Sequence, residues 1–433
     1  MPIVDGSIEE YMDVARSRGV EIRELEGTYS RLYEAASLIS KFDGKSTIMF
    51  HVREYSYPFI ANTIYSRKTL YSLLGVEDDR EAYTLVTGAE KAENTMIMGG
   101  EFNSYFERIG EGIEHLPALK YYERDGGLYL TSSIIIACLQ DVCNASVHRI
   151  MVAEDYAAVR VVPRQLYSLL ERAGGSLRVA VVVGVDPRIL LASSMNPPLG
   201  VFEIELAPTL IGSPLRLCKT PLYGLPVPCG SSMVIEGRLG PERRREGPFT
   251  DLLRLYDTVR EEPVLHVESV YINRVYEPFI HAILPGGIEH MLLMGFPREA
   301  AIYNAVSRVV PNVLKVRLTQ GSGMWLHAVI SIRKLHEGDA KNAAFAAFAA
   351  HPSLKGVVVV DDDIDPDDML QVEWAIATRL QAGRGLAVIP YARGSSLDPS
   401  ARGGVTDKVV IDATAPLEER DKYTRPVIPH RRG

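Results

Sequence analysis

The sequence predicts an α/β protein in three parts: an α/β segment over residues 1–102, a split β-barrel over 103–297 and a second α/β segment over 298–433. Three observations predict this. Helices with one apolar face alternate with strands at both ends of the chain. Short β-branched runs, punctuated by Gly, Pro and Asn, crowd the middle. The length of 433 residues suits about three domains of ~150 residues.

Ser7-Ile8-Glu9-Glu10 reads as a capping box opening a helix with Ile8, Tyr11, Met12 and Ala15 on one face, and Gly19 is placed to end it. A strand over 46–51 and a helix carrying Leu70, Leu73 and Leu74 follow. The middle part offers strands at 127–136, 147–153, 159–162, 177–185, 215–219, 227–237 and 264–272, a spacing that suits a barrel. Beyond 298 the pattern is a helix to 309, strands at 313–318 and 325–333, an Ala/Phe helix at 340–351, a strand at 356–360 and a helix at 367–380. That is the βαβ rhythm of a parallel sheet. After Thr414 the tail is polar.

Composition excludes more than it identifies. Basic residues number 47 and acidic ones 55, a net charge of −8 without a basic tract, which argues against nucleic acid or an anionic membrane as partner. No apolar run reaches the ~18 residues of a membrane span. The N-terminal residues lack the apolar core of a signal peptide, so a cytoplasmic location is expected. Four cysteines are too few for a disulfide scaffold and lack the paired spacing of a zinc site.

Several motifs fail on inspection. Asp43-Gly44-Lys45-Ser46 resembles the end of a phosphate loop, but Ile39 stands where the first glycine belongs. No histidine pair has metal-ligand spacing. The acidic run Asp361-Asp362-Asp363-Ile364-Asp365 suits either a divalent metal or the positive end of the helix that follows it. One constellation survives. Arg149 enters a strand, and Glu246 and Asp251 stand five residues apart in a turn-rich segment. A buried Arg between two carboxylates would hold one ionised and let the other carry a proton, which suits general acid–base work, although such pairs also serve structure alone.

With those residues stand further blocks in order: Asn144 five residues before Arg149, Ala192-Ser193-Ser194-Met195, Glu203, Lys219, Val227-Pro228, Glu246-Gly247-Pro248-Phe249-Thr250-Asp251, Gly338-Asp339-Ala340-Lys341, the acidic run with Trp374-Ala375 and Thr378-Arg379, and Asp412-Ala413-Thr414. This ordered set resembles the UbiD-type reversible decarboxylases, which use prenylated FMN. The resemblance implies that the central part is a flavin-reductase-like split barrel. It implies a catalytic trio of Arg149, Glu246 and Asp251, with Glu246 orienting Arg149 and Asp251 donating or shuttling the proton. It implies Asn144, Gln165 and Glu203 as ligands of a divalent metal, usually manganese, and a potassium ion held by backbone near 192–195. Thr131, Ser146, Val147, His148, Arg149, Gln165, Ser194, Met195 and Lys341 would bind the flavin.

The sequence departs from the family where Gln165 replaces a histidine ligand and Asn196 a proline, and in a tail that is short after Arg425-Pro426. A neutral amide oxygen suits a hard cation and weakens the grip on a transition metal. The implied reaction is non-oxidative decarboxylation of an α,β-unsaturated acid. Trans-anhydromevalonate 5-phosphate, giving isopentenyl phosphate and CO2 in a modified mevalonate route, is the favoured substrate. The alternatives are an aromatic or polyprenyl-hydroxybenzoate acid, and a flavin-binding protein without catalysis. Arg243, Arg244 and Arg245 offer a grip for a substrate phosphate, or form a solvated charged turn. An FMN prenyltransferase would supply the cofactor, and a homo-oligomer is expected.

Overall fold

The computed structural model describes residues 2–90, 96–426 and 428. The chain divides into two compact units, one ending at Pro297 and the other beginning at Arg298.

The first unit opens with helix Ile8–Ser17, whose capping box is formed by Ser7 Oγ accepting from Glu10 N at 3.1 Å and the Glu10 carboxylate accepting from Ser7 N at 2.9 Å. Its buried face is Ile8, Tyr11, Met12 and Ala15, the face the periodicity predicts. Strands Ile22–Tyr29, Thr47–Val52 and Pro58–Ala61 form a sheet that takes its fourth strand, Ile280–His281, from far along the chain.

The barrel has six strands, numbered β1 to β6 in chain order: Leu128–Leu139, Val142–Val152, Ala157–Val159, Leu177–Val183, Met233–Glu246 and Arg260–Asn273. Every neighbouring pair is antiparallel, and β5 pairs with both β4 and β6, so the ring closes. Closure leaves no open edge within the ring. Strand Phe106–Gly110 hangs outside it on β6. One apolar core runs from Phe50 and Phe59 through Ile135, Val181 and Ile235 to Leu265.

Two expectations need correction here, for Leu215–Lys219 and for Arg243 to Arg245. Strand Leu215–Lys219 forms where predicted but lies in a separate three-stranded sheet with Met96–Gly100 and Pro226–Pro228. Gln165 opens a helix, Gln165–Arg172, with Leu166, Leu169 and Leu170 buried on one face. Arg243, Arg244 and Arg245 are not in a turn; they lie in β5, paired opposite Pro263, Glu262 and Glu261 of β6. Arg244 is further engaged by Glu242 at 2.7 Å. Pairing with β6 keeps this polar stretch extended, which its composition alone does not announce.

Helix Ile288–Ser307 begins ten residues earlier than predicted and runs through Pro297. In the second unit the sheet order is Val313–Leu318, His327–Ile332, Gly356–Asp361, Val405–Ala413, Leu386–Arg393. The three central strands are parallel, but both outer strands run antiparallel to their neighbours, so the sheet is mixed. Asp361 and Asp363 are committed to Arg379, at 2.7 Å each, which gives the acidic run a structural occupation. All four cysteines are paired, Cys138 with Cys143 and Cys218 with Cys229, an arrangement the sequence reading did not foresee.

Candidate active site

Strand β2 carries two clusters. Its alternation sets Asn144, Ser146 and His148 on one face and Arg149 on the other. Opposite Arg149 the register with β1 shifts between Leu130 and Ser133, so that Thr131 and Ser132 together face one residue of β2. Such a bulge re-aims side chains. Thr131 Oγ1 accepts from Ile283 N at 3.0 Å and shares a hydrogen bond with Tyr121 at 2.9 Å.

The first cluster surrounds Arg149. Nε and Nη2 each donate to Glu246 at 2.9 Å, Nη1 donates to Asp251 at 2.9 Å, and Nη2 also donates to Asp257 at 3.1 Å. Side-chain exposure is 9% for Arg149, 0% for Glu246, 8% for Asp257 and 19% for Asp251, so Asp251 is the most open of the three acids. The Phe249 ring lies 4.4 Å from the guanidinium carbon. Burial works against the charged guanidinium, but Glu246, Asp251 and Asp257 together outweigh it and raise its pKa. Burial likewise opposes the charge of Asp257, yet Arg260 and Arg149 hold its carboxyl below the usual range.

Local backbone places these acids. Glu246 is the last residue of β5, and Gly247, with φ of 96°, turns the chain before the cis Pro248. Pro248 O accepts from Gly126 N at 2.8 Å, and a Cβ on Gly126 would lie 2.0 Å from Gly247 O, so only glycine admits this contact. Asp251 then follows the short strand Phe249–Thr250.

Two residues at this cluster were missed in the sequence. Asp257 joins Arg149 from strand Tyr256–Asp257, and only its acidity marks it. His290 accepts from Gly286 N at 3.1 Å through Nδ1. Burial lowers its pKa, and nearby Asp251 opposes that shift while Arg149 adds to it.

The second cluster lies five residues back along β2, about 17 Å at the rise of a strand. Asn144 Nδ2 donates to Glu203 at 2.6 Å and to Gln165 Oε1 at 3.1 Å, and Ala145 N donates to the other Glu203 oxygen at 2.6 Å. Gln165 Nε2 donates to Pro197 O at 2.6 Å. Burial raises the Glu203 carboxyl to about 7, the bonds from Ala145 and Asn144 only partly offsetting it. Ser146 Oγ lies 2.8 Å from both Asn144 Oδ1 and His148 Nε2. Its single proton serves one acceptor at a time, so a lone pair stays available. His148 Nδ1 meets Arg160 O at 2.9 Å, and burial pushes this imidazole down to about 4.

Of the other expected residues, Val147 is half-buried in β2. Ser194 and Met195 end the buried helix Pro187–Ser194, with Ser194 Oγ donating to Leu190 O at 2.9 Å. The neighbouring Ser193 Oγ is buried without a partner. Lys341 lies in helix Asp339–Ala350 of the second unit.

Comparison with known proteins places the chain in a family. The Rift-related domain of 3-octaprenyl-4-hydroxybenzoate carboxy-lyase matches residues 105–288, and the C-terminal domain of the same enzyme matches 291–413. The chain belongs to the UbiD family of carboxy-lyases, and its fold is that of the family. Among its relatives is the anhydromevalonate phosphate decarboxylase of Aeropyrum pernix, 46% identical, covering 98% of this chain and 96% of the relative. The UbiD-class enzyme HmfF from Pelotomaculum thermopropionicum, solved with FMN, is 36% identical with a TM-score of 0.91, over 98% of this chain and 97% of that one. An evolved dimeric form of HmfF, solved with prFMN, is 33% identical with a TM-score of 0.88 over the same shares of the two chains.

Proposed function

We propose that this chain is a prenylated-FMN-dependent decarboxylase of trans-anhydromevalonate 5-phosphate, releasing isopentenyl phosphate and CO2. The observation that carries the reading is the Arg149 fork between Glu246 and Asp251. A guanidinium has five N–H donors. Four contacts go to the three acids, which leaves one hydrogen on Nη1. That hydrogen receives the substrate carboxylate beside Asp251. Glu246, fully buried, fixes the plane of the fork. Asp251, the most exposed acid, holds the proton that replaces CO2. The name of the Aeropyrum pernix relative supports the choice of substrate.

Loss of CO2 from an sp2 carbon needs an electron sink that no side chain offers, and prenylated FMN supplies it when bound. Thr131, Ser146, Val147, His148, Ser194 and Met195 would hold that group. Asn144, Gln165 and Glu203 fit a hard divalent cation such as manganese. Glu203 is a buried carboxylate without an ion pair among the described residues, and the Ser146 arrangement can free Asn144 Oδ1. Among the described residues no three His, Cys, Asp or Glu side chains gather for a metal, so the site depends on neutral amides. The unpartnered Ser193 Oγ supports a potassium ion near 192–195. An FMN prenyltransferase as cofactor source, a homo-oligomer and a cytoplasmic setting complete the reading; no described helix is long and apolar enough to cross a membrane.

The test is reconstitution with prenylated FMN and Mn2+, followed by CO2 release from trans-anhydromevalonate 5-phosphate and from 4-hydroxybenzoate in parallel. Turnover of the phosphate alone supports the proposal. Turnover of the aromatic acid alone refutes the substrate, and release unchanged in Arg149→Ala refutes the mechanism.

A further inference from the structure

We propose that the Cys138–Cys143 disulfide is a redox-modifiable clamp on the Asn144–Gln165–Glu203 cation site. The two cysteines face each other across β1 and β2, one pair from the turn and one pair from Ala137 opposite Asn144. Barrel neighbours do not reinforce this part of the ribbon. β1 pairs with β4 over Ile134–Ile136, and β2 pairs with β3 over Ile150–Val152. Residues 137–144 therefore form a two-stranded ribbon, and such a ribbon is marginal without further support.

The turn does not supply that support. Gln140 takes φ of 55° without the Asn-Gly or Gly chemistry that favours tight hairpins. The register itself continues from the barrel pairs Ser133–Ile136 with Ala145–His148, and the disulfide ties the ribbon's end beyond them. Without that tie the end can fray as far as Ala137 and Asn144, which loosens Asn144 from Glu203 and Gln165. Both sulfurs' residues are half-buried, within reach of a small dithiol, whereas Cys218 and Cys229 are fully buried. Reduction passes two electrons and two protons from a dithiol to the S–S bond. The bond breaks into two thiols while the dithiol closes to its own disulfide.

The inference rests on reading Asn144, Gln165 and Glu203 as a cation site, and its test is independent of turnover. The full chain without cofactor is titrated with Mn2+, followed by electron paramagnetic resonance, before and after mild dithiothreitol treatment. Thiol labelling with mass spectrometry assigns the reduced pair. The expected result is reduction at Cys138 and Cys143 alone, with Mn2+ affinity falling at least fivefold and returning on reoxidation. By linkage, saturating Mn2+ must hinder reduction by the same factor. The C138S/C143S variant should bind like the reduced protein and ignore dithiothreitol. If that variant does not fold, the reduced wild-type chain carries the comparison. Equal affinity in both redox forms, or reduction of all four cysteines together, overturns the clamp. Mn2+ binding by neither form overturns the clamp and the cation site, while CO2 release still judges the decarboxylase reading separately.

Discussion

Replacing Arg149 by lysine keeps the charge and removes the fork. The guanidinium makes four contacts at 2.9–3.1 Å with three acids. A lysine ammonium has three donors on a flexible stem and cannot span Glu246 bidentately while also reaching Asp251 and Asp257. Glu246 is fully buried, so the contacts it loses are not replaced by water. Breaking one side of a buried pair costs about 3–5 kcal/mol, and the retained charge recovers part of that, giving an expected loss of about 2–4 kcal/mol. Misplacement of the acids around the reacting carboxylate should lower kcat/KM by about 100-fold or more. Urea unfolding and CO2 release measure the two effects. A variant within ~0.5 kcal/mol of wild type that keeps its turnover would refute the view that the fork organises the site.

Asp257→Asn should cost about 1–3 kcal/mol, because Arg260 and one Arg149 contact lose their charged partner, yet lower kcat/KM less than tenfold; Asp251→Asn should abolish turnover. Equal kinetic losses in the two variants would contradict the division of roles. Gly126→Ala should destabilise by about 2 kcal/mol or more, since its Cβ would meet the Gly247 carbonyl, and a denaturation midpoint matching wild type would count against that packing. His148 has its pKa lowered from 6.5 to about 4 by burial. A depressed imidazole stabilises the fold fully above its unfolded value and loses that contribution as pH falls from 6.5 towards 4, at a cost of about 3 kcal/mol. His148→Gln should therefore flatten the stability profile between those limits, and a profile unchanged from wild type would exclude the shift.

The readable parts of the sequence were those with local periodicity. The Ser7 capping box, the apolar face of its helix and the β-branched runs of the barrel each announce themselves within a few residues. The second half of β5 does not, because Pro241 to Arg245 is polar and solvent-facing, and stays extended only through pairing with β6. The start of helix Ile288–Ser307 was obscured by Pro297, which marks a helix boundary more often than an interior. Arg149, Glu246 and Asp251 were legible as a motif. Asp257 and His290 were not, since tertiary folding alone brings them to Arg149. The disulfides escaped for the same reason: cysteine partners 5 and 11 residues apart need strand register to pair them.

Ring closure has a consequence for how this enzyme diversifies. Asn144 and Arg149 share one strand of a sealed wall, so the spacing between the proposed cation site and the acid cluster is set by five residues of strand and works as a fixed ruler. A ligand that spans both would have to match that length. Discrimination among acids then falls to parts hung on the wall, such as the segment from Gly247 to Asp257 and the approach to His290. Changes there, outside Asp251 and Asp257 that hold Arg149, leave that spacing as it is.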